Sequence, residues 1–564
     1  MKYPYHAFRE EVEEQVRNTL GKLYGIEDEI KLEKPTGIAD LAFPCFSLSK
    51  IVKKNPLEIA EEIARNIETK KWIERVKAIN GYVNFFINMN KMAMETVKAI
   101  MEMRDDYGSL EDKKIKVIVE HTSANPNGPL HVGRARNPII GDTIARILKF
   151  GGYDVTTQYY VDDMGKQVAT LFWGVKNLDL EEKEKKWDHR YVAYYQEANK
   201  LMEENEEIKK EIEEIIRKCE EGDAKTLEEI RKVYEKVLEG MMESLDALNI
   251  HIDEFVKESK FVLDGSVDEI IKKLEESPYV KREGKALYID MEQFGIHGRN
   301  KRFYLTRSDG TSLYATRDIA YHIWKGEQAD KMINVLGEDH KLEARFVEVA
   351  LKILGKKTPE VIFYSFISLP EGKMSTRKGR VIYLDDLIEE AMERARMEVE
   401  ERRGKDEKNE YISRNVAVGA VRYNIIKVKP EKPIIFRWED ALNFEGQSAP
   451  FIQYAHARCC SILRKAGGIN YRGMEAKYEH ESERNLIKML ALFPEIIEES
   501  VRERNPAVVA EYAFNVSSSF NAFYRDCRVI GDEREKERLL LVDAARQVIK
   551  NCLGILGIEA LEEM

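Results

Sequence analysis

The segment Glu120-His121-Thr122-Ser123-Ala124-Asn125-Pro126-Asn127-Gly128-Pro129-Leu130-His131-Val132-Gly133-Arg134 ends with an imidazole, a glycine and a guanidinium within four residues. It follows the β-branched run Ile115 to Val119 and precedes a helical stretch containing Pro138. Proline costs least in a first helical turn, where amide donors lack partners anyway, so a helix is predicted to begin close to Arg134 or Ala135. His131, Gly133 and Arg134 then stand at a positive helix end, which binds phosphate through unpaired N–H groups and the macrodipole. A second segment, Glu371-Gly372-Lys373-Met374-Ser375-Thr376-Arg377-Lys378-Gly379-Arg380, is a glycine-bounded loop dense in cations and hydroxyls. It suits a transferring pyrophosphate, whose charge must be met without covalent catalysis. Each segment alone also reads as something ordinary, a strand-to-helix turn and a solvated basic loop.

The elements around these segments alternate as a nucleotide-binding sheet requires. Ile115 to Val119, a helix ending before Gly151-Gly152 and a strand over 153–160 make a strand-loop-helix-strand unit. Such units build parallel sheets that take nucleotides at the carboxyl ends of their strands. The pattern resumes with a strand over 330–336, a helix over 342–354 and a strand over 361–367, and the basic loop follows. Between about 176 and 295 charge density climbs, predicting a mostly helical, solvated insertion. Before residue 110, Asn55-Pro56-Leu57-Glu58 opens a helix and Gly81 to Asn88 alternates like a strand. After about 405, amphipathic stretches at 448–466, 485–500, 506–527 and 534–555 predict a bundle. The expected fold class is α/β. A doubly wound, Rossmann-like parallel-sheet catalytic domain spans 111–404, an N-terminal α+β domain 1–110 and a C-terminal all-α bundle 405–564.

Bulk properties narrow the function classes. A chain of 564 residues holds about three or four domains. Its net charge of -11 argues against indiscriminate binding to nucleic acid or anionic membrane, leaving local patches such as Arg422, Lys427, Lys429, Lys432 and Arg437 for phosphates. The six cysteines show neither CxxC nor Cys/His ligand spacing, so no metal site or disulfide framework is expected. The N-terminus turns acidic early, and no run approaches the roughly 18 apolar residues of a membrane span. A cytoplasmic protein, acting as a monomer, is expected.

His131-Val132-Gly133-Arg134 resembles the HIGH motif of class I aminoacyl-tRNA synthetases, with Arg134 in place of the usual second histidine. Lys373-Met374-Ser375-Thr376-Arg377 resembles their KMSKS loop in the form typical of the arginyl-tRNA synthetases. The resemblance implies that Ala124 to Arg134 and Lys373 to Arg377 bind ATP with Mg2+. Within them, His131, Gly133, Arg134, Lys373, Ser375 and Arg377 would stabilise the transition state as a carboxylate attacks the α-phosphate. It further implies L-arginine and tRNA-Arg as substrates, an arginyl-adenylate intermediate, and release of AMP and pyrophosphate.

Glu120, Asn125, Tyr314 and Asp318 match the family's arginine-recognising positions. Carboxylates suit the planar fork of a guanidinium, and Tyr314 and Asp318 share a helical face. Each has a plainer reading: a strand-end salt bridge for Glu120, a turn cap for Asn125, a core place for Tyr314, a pairing with Arg317 or Lys325 for Asp318. Val161 to Gln167 resembles the family's GDWGxQ stretch, and Gly337-Glu338-Asp339-His340 lies where it can touch ribose or adenine. Asp440 to Arg458 resembles the start of the family's anticodon-binding domain, making Gln453, Tyr454 and Arg458 candidate tRNA contacts. The first 110 residues resemble the appended domain that the family uses on the tRNA's outer corner.

Overall fold

The computed structural model describes residues 3–27, 30–34, 39–181, 184–298, 301–308, 312–368, 382–467 and 477–564. Three short strands, β1 (Leu41–Pro44), β2 (Ile73–Ile79) and β3 (Tyr82–Ile87), pair antiparallel with β3 in the middle. The helix Pro56–Asn66 begins as expected, with Asn55 Oδ1 accepting from the Leu57 amide at 2.9 Å.

The central sheet has five parallel strands: β4 (Lys116–Glu120), β5 (Asp154–Val161), β6 (Glu254–Lys257), and, after the strands β7 (Val280–Glu283), β8 (Ala286–Asp290) and β9 (Arg302–Tyr304), β10 (Lys331–Gly337) and β11 (Glu360–Tyr364). Their spatial order is β11-β10-β4-β5-β6. The chain moves outward from β4 through β5 to β6, then returns to β4's other side with β10 and β11. This doubly wound order reverses between β4 and β10, where ligands bind outside the carboxyl ends of the strands.

The stretch read as a helical insertion contains more than helices. The helices Trp187–Glu204, Glu206–Glu220 and Ala224–Ala247 are present, but β6 follows them as the edge strand of the central sheet, and β7 and β8 form an antiparallel sheet with β9. Only Val256 of β6 is buried, so so short an edge strand leaves no readable alternation. In the C-terminal region the stretch at 485–500 is two helices, Glu481–Ala491 and Phe493–Glu503, with Pro494 in the second one's first turn. They pack on Pro506–Asp526, which with Asn409–Ile426, Ala449–Lys465 and Glu535–Ile555 completes the bundle. One apolar core runs without interruption from Phe8 through Val119 to Phe520. All six cysteines are free and buried. Among the described residues no helix is long and apolar enough to cross a membrane.

The helix Arg136–Phe150 joins the sheet to the bundle. Twelve of its 15 residues are buried, Arg136 and Asp142 among them. Arg136 donates to the carbonyls of Ser365, Lys429 and Lys432. Asp142 meets Arg422 at 2.6 Å, and Arg422 also donates to the carbonyls of Leu248 and Leu556. Burial works against the Asp142 carboxylate, yet Arg422 and Arg146 hold its pKa below the usual range. Arg422 is fully buried, so of the basic stretch read as a phosphate patch only Lys429, Lys432 and Arg437 are exposed.

Removing one partner of such a pair leaves a buried charge uncompensated. Arg422→Met is expected to cost about 3–5 kcal/mol, seen as a lower midpoint in thermal unfolding, with Asp142→Asn falling the same way. On the helix's other side Gly141 lies against His121, where an added Cβ would come within 2.3 Å of the His121 Cβ. Gly141→Ala is expected to cost about 1–3 kcal/mol by overpacking; an unchanged unfolding midpoint would show that this contact yields.

Candidate active site

The chain leaves β4 through a strained turn. Thr122 and Ser123 have φ of 71° and 39°, the left-handed region that a β-branched residue rarely enters. Side chains hold the turn there. The Thr122 amide donates to Asn137 Oδ1 at 2.7 Å, and Asn137 Nδ2 donates to the Val335 carbonyl of β10 at 3.1 Å. Ser123 Oγ donates to Glu120 Oε1 and accepts from the Tyr160 amide, each at 3.1 Å. His121 is buried beneath the turn, and burial pushes its pKa down to about 4.

Further along, Val132–Arg134 form a 3-10 turn and the main helix starts at Arg136, close to the expected place. His131 Nδ1 accepts from the Gly133 amide at 2.9 Å, which leaves the ring proton on Nε2 as a donor. Ala135 offers the helix no side-chain cap, and Arg134 is exposed beside it. The Leu384 amide donates to the Leu130 carbonyl at 2.7 Å, the Val132 amide to the Ile382 carbonyl at 3.2 Å, and His131 bridges antiparallel to Tyr383. The chain that follows the basic loop is thus stitched to the HxGx-like segment. Lys373, Met374, Ser375, Thr376 and Arg377 themselves lie outside the described residues.

The connecting loop is also fixed. Asn125 and Asn127 both donate to Gln167 Oε1 at 2.9 Å, giving the stretch 161–167 a definite structural task. Tyr159 donates to the Ala124 carbonyl at 2.5 Å. Gly128 packs against Val192, where a Cβ would meet Cγ2 at 2.7 Å. Beyond β10, Glu338–His340 form a 3-10 turn with Asp339 and His340 near half-exposed, and Glu338 accepts from Ser365 Oγ.

Across the switch point, Tyr314, Asp318, His322 and Lys325 fall on one face of the helix Tyr314–Gln328. Lys325 is fully buried and donates to Glu120 Oε2 and Asn334 Oδ1, both at 2.7 Å. Asn334 lies opposite Glu120 in the β4–β10 register and donates to His322 Nε2 at 2.7 Å. His322 Nδ1 lies 2.8 Å from the Asp318 carbonyl and 3.2 Å from its carboxylate. The salt bridge considered for Glu120 therefore exists, with Lys325. Asp318 faces His322, and Arg317 turns instead to Glu258 and Glu220. Burial raises the pKa of Asp318, but His322 and Lys325 outweigh it and hold the carboxyl below its usual range. Tyr314 is 55 % exposed, so it is not a core residue.

Sequence reasoning missed two side chains here. Glu258, just past β6, is fully buried; one oxygen takes Arg317 at 2.7 Å and the other has no partner among the described residues. Burial, then Asp162, push its pKa up to about 8, against the pull of Arg317. Tyr160 stacks on Tyr321 at 4.3 Å, and its buried hydroxyl likewise has no partner among the described residues. No motif marks either, because Glu258 sits in the charged stretch taken for an insertion.

At the bundle, the three candidate tRNA contacts divide. Gln453 is fully buried, donating to the Asn415 and Glu559 carbonyls, so it ties the C-terminal tail and presents nothing to solvent. Tyr454 is 41 % exposed, with the Arg458 guanidinium over its ring at 4.7 Å and over Tyr524 at 5.4 Å. Arg458 also donates to Asn521 at 2.6 Å.

Comparison with known proteins agrees along the chain. Residues 96–438 match the family described as tRNA synthetases class I (R), catalytic domain; residues 452–564 match the DALR anticodon binding domain; residues 10–87 match the arginyl tRNA synthetase N terminal domain. The arginine–tRNA ligase of Methanocella arvoryzae is 48% identical over 96% of both chains, and that of Methanothermobacter thermautotrophicus is 46% identical over 99% of this chain and 100% of its own. The solved Thermus thermophilus arginyl-tRNA synthetase superposes with a TM-score of 0.83 at 31% identity, covering 99% of this chain and 100% of that one. With its doubly wound sheet, helical bundle and full-length kinship, this chain belongs to the arginyl-tRNA synthetase family of class I aminoacyl-tRNA synthetases.

Proposed function

We propose that the chain activates arginine at the switch point between β4 and β10 and transfers it to tRNA-Arg. The overall reaction is the family's: arginine, ATP and tRNA-Arg give arginyl-tRNA, AMP and pyrophosphate. One observation carries the assignment of roles. The pinned turn sets the phosphate-type helix end at His131 on one side of the switch point, and a pair of tethered carboxylates, Glu120 and Asp318, on the other.

In this reading Glu120, Asn125, Tyr314 and Asp318 hold arginine, and Glu258 supplies a further acceptor through its unpartnered oxygen. A guanidinium brings five donors in a fixed plane, which several carboxylates satisfy better than one. His131 Nε2–H, the backbone around Gly133, and Arg134 receive the ATP phosphates, while Lys373, Ser375 and Arg377 act on the departing pyrophosphate. The arginine carboxylate attacks the α-phosphate, the bond to the β-phosphate oxygen breaks, and pyrophosphate carries that electron pair away. The 2'-hydroxyl oxygen of the terminal adenosine then attacks the carbonyl carbon of the mixed anhydride, the bond from that carbon to the phosphate oxygen breaks, and AMP leaves as its phosphate takes up the hydroxyl proton. Positioning and electrostatics suffice for both steps. The assigned phosphate-side chains are donors and cations, which fit an anion, so Mg2+ would enter coordinated by ATP and neutralise its phosphates.

The exposed Tyr454 and the Arg458 guanidinium stacked on it offer a platform for an unstacked base, so these two, without Gln453, are the bundle's proposed tRNA contacts. The same proposal takes residues 1–110 to the tRNA's outer corner, and the enzyme as a cytoplasmic monomer.

Arginine-dependent pyrophosphate exchange, run with and without tRNA-Arg, tests the activity; no exchange under either condition overturns it. Asp318→Ala is expected to raise the arginine KM by about tenfold or more, since each lost charge-assisted bond is worth roughly 1.5–3 kcal/mol. Glu258 gives a pH test. With its carboxyl poised at about 8, it is mostly protonated at neutral pH, and a bound guanidinium favours the ionised form. Arginine affinity should therefore improve as pH rises from about 7 through 8, and Glu258→Gln should abolish that rise; an identical pH profile in the variant removes Glu258 from the pocket.

A further inference from the structure

Lys325 stands out as a charged side chain with no access to solvent that touches an arginine-site carboxylate. An unpaired ammonium in that position would be very costly, so its partners must be definite. They are Glu120 Oε2 and Asn334 Oδ1, both at 2.7 Å. The ring of Tyr321 lies 4.4 Å from the ammonium. The bonds also have a direction. Lys325 donates to the Asn334 carbonyl oxygen, the Asn334 amide donates to His322 Nε2, and His322 Nδ1 faces Asp318, 2.8 Å from its main-chain carbonyl and 3.2 Å from its carboxylate. Three elements contribute: β4 with Glu120, β10 with Asn334 in register opposite it, and the helix carrying the other three residues.

We propose that Lys325 is a positioning and specificity-determining residue for arginine, because its relay through Asn334 and His322 holds Glu120 and Asp318 as one fixed pair of acceptors. Lys325 occupies Oε2 of Glu120 and leaves Oε1, shared with the Ser123 hydroxyl, with lone-pair capacity for a ligand donor. The carboxylate thus keeps its orientation before arginine arrives, and a preorganised acceptor loses less on binding. Asn334 transmits the same constraint to Asp318, so the spacing between the two acceptors is set by the sheet register.

This inference rests on the assignment of Glu120 and Asp318 to arginine, and the two can fail separately. The measurement is steady-state pyrophosphate exchange with tRNA-Arg present, varying arginine and ATP in turn. Lys325→Met is expected to raise the arginine KM by about tenfold, the effect of leaving one buried charged partner unsatisfied, with the ATP KM and kcat little changed. In a Glu120→Gln background the same substitution should add less than about threefold, since residues that act through one another are not additive. A folded Lys325→Met enzyme with the parent's arginine KM overturns the proposal, as does a parallel rise in the ATP KM, which marks general damage to the site. Should Lys325→Met fail to fold, Asn334→Ser decides: it keeps the lysine and cuts the relay, and an unchanged arginine KM overturns the proposal. Glu120→Gln alone with an unchanged arginine KM sinks the arginine assignment instead.

Discussion

Asn137 accepts from the Thr122 amide and donates to the Val335 carbonyl, and much of the site's geometry follows from that one side chain. The turn after β4 needs two non-glycine residues in the left-handed region, a conformation costing about 1–3 kcal/mol per residue. It persists because Asn137 is itself immobile, buried in the first turn of the helix Arg136–Phe150. That helix is fixed at every level: by the carbonyls that Arg136 collects, by Gly141 against His121, and by Asp142 on Arg422. The last contact reaches the bundle, and Arg422 extends it to the end of the helix Ala224–Ala247 and to the C-terminal tail. A single buried helix thus presents the proposed phosphate end, braces the turn that aims Glu120, and forms the joint to the bundle that matches an anticodon binding domain.

In the proposed assignment the two halves of the site solve opposite electrostatic problems. Phosphate needs donors, which a helix start supplies from its backbone at almost no cost in side chains. A guanidinium needs buried carboxylates, which repel one another and resist leaving water. Lys325, Arg317 and His322 divide that burden, one close to each of Glu120, Glu258 and Asp318. These donors, two of them cations, are as much a part of the proposed pocket as the acids. Without them the carboxyls would be driven towards the neutral form, as Glu258 already partly is despite Arg317.

What the sequence disclosed divides along the same physical line. Periodic elements were legible: β4, β5, β10 and the helix containing Pro138 lie within a residue or two of their expected bounds, because burial on one or both faces imposes a pattern on residues that are neighbours in the chain. So were contiguous motifs such as Leu130 to Arg134. The edge strand β6 was not, because four half-solvated residues carry no periodicity. Glu258 and Lys325 were missed or misread for a different reason. A buried charge is recognised only by its partner, and those partners lie 59 and 205 positions away along the chain. Gln453 shows the converse: it lies beside the exposed Tyr454 in a stretch that resembles the family's, yet its amide is spent on the carbonyls of Asn415 and Glu559.

Arg134, the departure from the family's usual motif, is easier to understand once the phosphate end is seen as mostly backbone. His131 is constrained at both faces, its Nδ1 by the Gly133 amide and its main chain by the bridge to Tyr383. Arg134 is exposed and closes the 3-10 turn, its amide donating to the His131 carbonyl at 2.9 Å. A position that contributes charge at the mouth of a helix end can exchange an imidazole for a guanidinium, since both donate and the longer side chain can reach the same oxygen. The position that shapes the turn cannot. The geometry therefore explains why the substitution falls on the fourth residue of the motif and not on the first.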